Sequence, residues 1–549
     1  MRRTKLWRVL AAGLLAVTAG LAAPVLAEPA KPALAWDNGL ALTPPMGWNT
    51  WNTFECDISE DLVRETADLM VAEGWLAAGY NYVNLDDCWS AKQRDSSGNL
   101  VADPVRFPSG IKALADYVHA KGMKFGIYAD NGTRTCAGYP GSHGFETRDA
   151  ALFASWDVDY IKYDNCAFPA DADGNPLEPH QVRYKRMQDA IIATGRPMIL
   201  AICEWGQSHP WNWGPSVGNL WRTTGDIQPW WGRIDHIYRL NVPAAWAAKP
   251  GAWNDPDMLE IGSTPWPDRP ALTYDEMRSH FSLWAMMNAP LIAGADLRNL
   301  PADLKAIHLN RDVIAINQDP LGEQARQIYV GGTENLVYGE RHVLVKPLAN
   351  GDRVVALFNR SDTTQSMSTT ANYLSLPASS QYTVTDLWSK QVTTTTGAIS
   401  RTVKPHETVL LRVRANTPGP GGWTRQLVSK SSGKCLDDPN SSTGNNTEVI
   451  IYACTNGVNE QWTYTPGKQL QVMGKCLDAY NRGTTPNTRV VLYTCNGQAN
   501  QQWNVTADGK IIGVQSGLCL DVYNNETANS TPVILYTCKN APNQIWTRR

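Results

Sequence analysis

Histidine is scarce in this chain, 9 of 549 residues, and none stands in a His-Glu-x-x-His arrangement. That removes the usual ligand set of a zinc hydrolase. Charge is sparse as well, 18% of residues, and nearly balanced at a net −3. With no long basic run, nucleic acid is not expected as a partner. No Gly-x-Gly-x-x-Gly follows a strand pattern, so a dinucleotide-binding sheet is disfavoured. Beyond the N-terminus no apolar run approaches the roughly 18 residues that cross a bilayer, and no membrane is expected.

Phenylalanine is rare at 8, yet tryptophan reaches 22. An indole offers a flat apolar face and one N–H donor, which suits sugar rings as well as cores. The 11 cysteines are an odd number, so one thiol is unpaired or joins another chain. At roughly 150 residues per domain the length suggests three or four domains, fewer if one is a barrel.

The first residues read as a secretory signal peptide. Met1-Arg2-Arg3 and Lys5 give a basic start, an apolar stretch follows over 9–23, and small-residue sites end at Ala27 and Ala35. Residues 1–35 are therefore expected to be removed after Ala27 or Ala35. The remainder is expected to be secreted and extracellular, where disulfides persist.

The C-terminal third repeats. Lys434-Cys435-Leu436-Asp437, Lys475-Cys476-Leu477-Asp478 and Leu518-Cys519-Leu520-Asp521 each find a second cysteine at one fixed spacing, Cys454, Cys495 and Cys538. Each of these follows a tyrosine by two residues: Tyr452, Tyr493 and Tyr536. Each repeat closes on Asn and Trp, at Asn459/Trp462, Asn500/Trp503 and Asn543/Trp546. Three such copies, each with its own disulfide, predict a three-lobed β domain over 423–549. The repeats resemble the ricin-type β-trefoil, carbohydrate-binding module family 13. That resemblance implies a sugar site in every lobe: Asp437, Tyr452 and Asn459; Asp478, Tyr493 and Asn500; Asp521, Tyr536 and Asn543. A carboxylate accepts two hydroxyl protons while an aromatic face covers the ring. The closing tryptophans are expected in the core. The family's Gln-x-Trp appears as Gln501-Gln502-Trp503 and Gln544-Ile545-Trp546, but the first lobe has Glu460-Gln461-Trp462.

A Pro/Gly linker, 415–422, precedes the repeats. Over 324–414 alternating strands such as 342–345, 353–358 and 408–413 predict a smaller antiparallel β-sandwich. Over 36–323 eight short apolar strands, 46–48, 82–85, 124–128, 160–163, 198–202, 220–223, 252–253 and 291–293, alternate with helical patterns such as 61–73 and 111–121. That order predicts a (β/α)8 TIM barrel.

Barrel enzymes place their chemistry at the C-terminal strand ends. All those ends but the first carry carboxylates: Asp86 and Asp87, Asp130, Asp164, Glu204, Asp226, Asp257 and Asp296, with Trp51, Trp89, Tyr128, Trp205 and Trp221 among them. Carboxylates among aromatics, without a nucleophile elbow, suit glycoside hydrolysis, and Trp51, Trp89 and Trp205 are expected to line the sugar pocket. Lys162 and Arg222 beside them would repel a metal ion, so no metal and no cofactor are expected. Lys162 and Asp164 lie two apart on a strand, hence on one face, and the ammonium is expected to favour the ionised carboxylate. Asp130 and Asp296 read as structural acceptors or helix caps. Trp211 and Trp213 fit either an outer subsite or packing. From the residues alone, retention and inversion both remain open.

Six blocks go further: Pro45-Met46-Gly47-Trp48-Asn49-Thr50-Trp51, Leu85-Asp86-Asp87-Cys88-Trp89, Lys162-Tyr163-Asp164-Asn165-Cys166, Cys203-Glu204-Trp205-Gly206, Arg222-Thr223-Thr224-Gly225-Asp226 and Trp253-Asn254-Asp255-Pro256-Asp257-Met258. In this order they resemble the α-galactosidases (melibiases) of glycoside hydrolase family 27, over about 39–414. The resemblance implies a retaining double displacement, with Asp164 as nucleophile and Asp226 as acid then base. It implies that Asp86 and Asp87 grip the 4- and 6-hydroxyls, that Lys162, Arg222 and Asp257 contact the 2- and 3-hydroxyl regions, that Trp51 walls the pocket and that Tyr128 lies near the nucleophile. Cys203, Glu204 and Trp205 would form the loop that reads the 2-position, with Glu204 and Trp205 excluding an acetamido group. It also implies disulfides Cys56–Cys88 and Cys136–Cys166. With Cys435–Cys454, Cys476–Cys495 and Cys519–Cys538 these leave Cys203 as the odd, buried thiol.

The expected activity is hydrolysis of terminal α-D-galactosyl residues from galacto-oligosaccharides and galactomannan-type polysaccharides, with the trefoil binding a second polysaccharide such as xylan or galactan. Two alternatives stand: β-L-arabinopyranosidase, which a longer side chain than Asp87 would favour, and a non-catalytic carbohydrate-binding protein. A monomer is expected.

Overall fold

The computed structural model describes every residue except 1–35, 172–173, 175, 329–338, 378, 417–422, 466 and 507. The expected leader and most of the expected linker lie outside the described residues.

Strands β1 (Met46–Asn49), β2 (Tyr82–Leu85), β3 (Lys124–Asp130), β4 (Tyr160–Asp164), β5 (Ile199–Ile202), β6 (Leu220–Arg222), β7 (Trp253–Asp255) and β8 (Leu291–Ala293) form one parallel sheet in the order 7-6-5-4-3-2-1-8. Most of their residues are buried on both faces, so they read as apolar runs rather than as alternation. The sheet closes past the end of β7: Leu259 donates its N–H to Ile292 O at 2.8 Å, and Gly294 donates to Leu259 O at 3.0 Å. Helices such as Glu60–Ala72 and Ile111–Ala120 cover the outside with their apolar faces inward. A Cβ on Gly47 would stand 2.3 Å from Tyr82 O, so only glycine lets β1 lie this close to β2.

The strands begin and end within a residue or two of expectation, with one informative difference. β3 and β4 run on to Asp130 and Asp164, which are register partners. The parallel ladder thus continues into the carboxylates and fixes their positions.

An antiparallel sandwich follows: β9 (Arg326–Ile328), β10 (Arg341–Pro347), β11 (Arg353–Asn359), β12 (Gln365–Thr370), β13 (Tyr382–Asp386), β14 (Val392–Thr395), β15 (Ala398–Val403) and β16 (Thr408–Ala415). Six strands run in the order 14-13-16-11-10-9, and β12 pairs with β15. Strand β11 is buried throughout because it serves two cores. Val354, Ala356 and Phe358 join the barrel core, while Val355 and Leu357 join the core that runs on into the C-terminal domain. Period-two alternation sends each set to its own side.

From Trp423 the chain builds a β-trefoil of three similar lobes. Trp462, Trp503 and Trp546 are buried, and their indole N–H groups donate to Leu436 O, Leu477 O and Leu520 O at 2.8, 3.0 and 3.1 Å. These tryptophans are core. The five disulfides join Cys56–Cys88, Cys136–Cys166, Cys435–Cys454, Cys476–Cys495 and Cys519–Cys538, and Cys203 is a buried free thiol.

Candidate active site

The C-terminal ends of the barrel strands open into a cavity of about 240 Å³. That is below the roughly 300–1,000 Å³ of clefts that take drug-sized ligands, and matches one sugar ring rather than an extended chain. Its wall includes Trp51, Asp86, Asp87, Tyr128, Lys162, Asp164, Trp205, Arg222, Asp226 and Asp257.

The carboxylates are held by a network that leaves some oxygens free for a ligand. Asp86 Oδ2 accepts from Asn49 Nδ2 and from Lys162 Nζ, both at 2.8 Å. Thr50 Oγ1 accepts from Asp86 N at 3.0 Å. Asp87 accepts the N–H groups of Cys88 at 2.7 Å and Ala137 at 2.9 Å. Burial nevertheless raises its pKa above the usual carboxylate range. Asp257 sits at φ 78° and receives N–H donors from Met258 at 2.8 Å and Ile227 at 2.9 Å. Such a left-handed residue stores strain that the surrounding bonds must sustain. Arg222 bridges the wall, its Nη2 lying 2.8 Å from Asp257 Oδ2 and 3.0 Å from Asp226 Oδ1.

Asp164 is buried at the end of β4. Its oxygens accept from Tyr128 OH at 3.1 Å and from Asn165 N at 3.0 Å. Lys162 favours the ionised form of Asp164, as expected. Its ammonium bonds Asp86 rather than Asp164 and opposes the effect of burial only partly, so Asp164 is pushed up to about 6. Burial in low dielectric outweighs one nearby cation. Asp226 shows the reverse balance. The surrounding protein disfavours its charge, but Arg222 and Lys162 outweigh that and hold the carboxyl below its usual range.

Three other expectations are corrected. Glu204 does not face the sugar pocket. Its side chain is buried behind the loop, where Oε2 accepts from Ser208 N at 2.7 Å and lies 3.8 Å from His180 Nε2, and burial pushes it up to about 7. The cause is the backbone: Trp205 takes φ 56° and Gly206 φ 78°, which turns the indole into the pocket and the carboxyl away from it. A Cβ on Gly206 would lie 2.3 Å from Thr223 O, so glycine is required there. Cys203 lies beneath the pocket, in a smaller chamber bounded also by Lys162, Arg222 and Asp257. Burial raises its thiol far above the usual range, so it stays protonated and serves as floor. Trp89 is not pocket wall: it is buried edge-on against Phe153 and Trp156 and donates to Tyr128 O at 2.9 Å.

Trp213 packs on Tyr184 and donates to Ser208, and Trp211 lies partly buried against the barrel core beside His209, so both are packing residues. Asp130 accepts Gly132 N at 2.6 Å and Cys166 N at 2.8 Å, and Asp296 caps the turn Leu297–Asn299. Asp130 and Asp164 cluster with Cys136 and Cys166, but both sulfurs are spent in a disulfide.

Sequence reasoning missed Asn52, Glu55, Gln228, Met258, Glu260 and Trp266, which also line the cavity. Glu260, buried and pushed up to about 7, takes a hydrogen bond from Asn52. Trp266 is 49% exposed at the rim. Its Pro265-Trp266-Pro267 setting is the one signal that marks a stiff, displayed indole.

On the trefoil, Asp437, Asp478 and Asp521 accept from Asn459, Asn500 and Asn543 at 2.8, 2.9 and 2.9 Å. Tyr452 and Tyr493 are 36% and 37% exposed, and Tyr536 is half-buried.

Three family descriptions match consecutive parts of the chain. "Alpha galactosidase A" matches residues 43–319, "Alpha galactosidase C-terminal beta sandwich domain" 338–413 and "Ricin-type beta-trefoil lectin domain" 423–546. Alpha-galactosidase 3 of Arabidopsis thaliana is 47% identical over 376 residues, covering 68% of this chain and 82% of its own. The crystal structure of alpha-galactosidase I from Mortierella vinacea superposes with TM-score 0.63 at 36% identity, covering 69% of this chain and 98% of that one. The Saccharomyces cerevisiae enzyme with raffinose gives TM-score 0.62 at 35% identity, over 70% and 99% of the two chains.

Proposed function

The chain belongs to the Alpha galactosidase A family, and from that membership we propose a secreted, retaining, exo-acting α-galactosidase that releases terminal galactosyl groups from oligosaccharides and galactomannan-type polysaccharides. One observation carries the mechanism: a single-sugar cavity has the buried carboxylate of Asp164 and the solvent-facing carboxylate of Asp226 in its wall.

In the first step an Asp164 oxygen attacks the anomeric carbon. The glycosidic C–O bond breaks, and its oxygen takes a proton from Asp226. Tyr128 and the Asn165 N–H hold the attacking carboxylate in one orientation. A bound sugar would shield Asp226 from water and leave it facing ionised Asp164, and both effects favour its protonated form. Once the glycosyl-enzyme forms, the charge on Asp164 is gone and the Asp226 pKa falls. It is then suited to take a proton from the water that releases the sugar.

Selectivity follows from side-chain lengths. Asp87 is short enough to leave space for the hydroxymethyl arm that galactose has and L-arabinopyranose lacks. Of the residues expected to exclude an acetamido group only Trp205 faces the cavity, and that task falls to it. The trefoil is proposed to bind a second polysaccharide, xylan or galactan. The five disulfides and the leader-like start support secretion.

The test is hydrolysis of p-nitrophenyl α-D-galactoside, followed by NMR for the first-formed anomer, beside the β-L-arabinopyranoside and α-N-acetylgalactosaminide. α-Galactose should appear first, with Asp164→Ala inactive. First appearance of the β anomer would overturn retention, and an unchanged mutant would remove Asp164 from the chemistry.

A further inference from the structure

The first trefoil lobe differs from the other two where it meets the β-sandwich. In the second lobe Asp478 accepts two amide donors, Asn500 Nδ2 and Gln501 Nε2, each at 2.9 Å. In the third, Asp521 accepts Asn543 Nδ2 at 2.9 Å and Gln544 Nε2 at 2.6 Å. Both donors polarise and orient the carboxylate that would receive sugar hydroxyls.

The first lobe has Glu460 in place of that glutamine. Its carboxylate is turned to Thr455 N, at 2.9 and 3.0 Å, and to Gln426 Nε2 at 2.8 Å. It has no amide proton to give, so Asp437 keeps the amide donor Asn459 and faces a second carboxyl, Glu460, where the other lobes supply a glutamine amide. Burial, reinforced by the neighbouring Glu460 charge, pushes Asp437 up to about 8, and a neutral carboxyl is a poor acceptor for two hydroxyls. Beside it stands Asp438, fully buried with neither oxygen hydrogen-bonded, where the other lobes have Ala479 and Val522.

The same lobe abuts the sandwich. A Cβ on Gly457 would meet Asn459 Oδ1 at 2.4 Å and Arg326 Nε at 3.1 Å, which places the β9 guanidinium beside the first lobe's own sugar-site asparagine. Its charge acts on both Asp437 and Glu460. Ser375 Oγ donates to Val458 O at 3.3 Å and accepts from Met473 N at 3.4 Å. The ring of Tyr373 lies over Gly474. The turn Val458–Glu460, which carries Asn459, packs on β10 of the sandwich as well as on trefoil strands, and Ala499–Gln501 and Pro542–Gln544 pack on trefoil strands.

We propose that the first lobe is a docking foot, seated on Arg326 and Ser375 of the sandwich, and that neutral polysaccharide is bound by the second and third lobes alone. Those two sites are Asp478 with Tyr493 and Asn500, and Asp521 with Tyr536 and Asn543. The proposal rests on the carbohydrate-binding reading of the trefoil. Tyr452 remains exposed in the first lobe, but as an aromatic face without a working carboxylate.

The experiment is gel retardation of the full chain in arabinoxylan and in β-1,4-galactan, comparing Tyr452→Ala, Tyr493→Ala and Tyr536→Ala, all at accessible positions. Tyr493→Ala and Tyr536→Ala should each weaken retardation at least fivefold, because two sites on one body bind jointly, and Tyr452→Ala should stay within twofold. Equal loss with Tyr452→Ala, or no loss with the other two, overturns the lobe assignment while leaving carbohydrate binding in place. If neither gel retards the wild-type chain, the carbohydrate reading falls, and the lobe assignment with it. Arg326→Glu tests the foot: it should enlarge the radius of gyration in solution scattering while α-galactosidase turnover, which reports a folded barrel, is unchanged. An unchanged radius overturns the docking role.

Discussion

Arg222 and Asp226 are joined by a 3.0 Å bond across the boundary between core and solvent: the arginine side chain is 6% exposed and the aspartate side chain 68%. The guanidinium is fixed from below by Asp257, whereas the aspartate carboxyl stands on the solvent side. The proton donor proposed above, which would first yield its proton and then recover it, is thereby tethered to a buried cation without being buried itself.

This tether makes the effect of Asp226 depend on the leaving group. A sugar alkoxide needs a proton as it departs, and p-nitrophenolate does not. Asp226→Asn should therefore lower turnover of melibiose by about 10²–10⁴-fold, the usual range for lost acid catalysis. Formation of the glycosyl-enzyme from p-nitrophenyl galactoside should fall much less, visible as a burst of nitrophenol. Equal losses in both steps would count against Asp226 as the acid.

The position of Asp164 sets a pH limb. Attack needs the ionised form, and burial holds this carboxyl at about 6 rather than near 4. kcat/KM should accordingly fall below pH 6. Lys162→Met removes a cation that favours ionisation, and should move the limb upward by about one pH unit or more. A limb that stays in place, or moves to lower pH, would exclude this electrostatic role.

The same burial shapes stability. Asp164 and Asp255 sit at about 6, Glu204 and Glu260 at about 7, and Asp437 at about 8, all above the roughly 4 of an unfolded carboxyl. Groups raised on folding stabilise fully below the unfolded value, and that contribution is lost as pH rises through 6 to 8. Asp352 works oppositely: Arg414 and Arg412 overcome the cost of its burial and hold it low, so its contribution is lost below about pH 4. His180 and the buried His280, His308 and His342, all held below the ordinary histidine range, also oppose the raised carboxyls and lose their contribution as pH falls below about 6.5. The Tm by calorimetry should therefore be highest at about pH 5 to 6.5 and decline toward pH 8. A Tm that climbs from pH 5 to 8 would contradict this.

Asp87 tests selectivity. Lengthening it by one methylene fills the space for a hydroxymethyl arm, and one carbon in a pocket is worth about 1–3 kcal/mol. Asp87→Glu should shift the ratio of α-D-galactoside to β-L-arabinopyranoside kcat/KM by roughly 10- to 200-fold toward the pentose. An unaltered ratio would place discrimination elsewhere.

The barrel was legible because its strands are apolar runs that stop at carboxylates, and the trefoil because Cys435, Cys476 and Cys519 recur with their partners. Side-chain direction was less so. Glu204 and Trp205 stand together in sequence, and only the left-handed turn at Trp205 decides which one meets the sugar. Nor does spacing reveal that Lys162 answers to Asp86, since that contact reaches from β4 past β3 to the end of β2. Periodicity reports local geometry, while charge partners and loop tips depend on closure of the whole sheet.

Trp266 is the loop-tip case with the clearest consequence. It lines the cavity, stands 49% exposed, and is held between Pro265 and Pro267 in the loop that follows β7. Nearby, Trp230 is covered by the Arg269 guanidinium at 4.7 Å and donates to Gln228, another wall residue, at 2.9 Å. The cavity itself takes one ring, so an indole at its rim meets the leaving group rather than the galactosyl unit. Loss of a stacking face should then be felt as KM and only for leaving groups that reach it. Trp266→Ala should raise KM for raffinose and for galactomannan several-fold, with kcat nearly constant. Release of fluoride from α-galactosyl fluoride, whose leaving group is a single atom, should be unaffected. If the fluoride substrate suffers as much as raffinose, Trp266 acts on the galactosyl pocket and the outer platform does not exist.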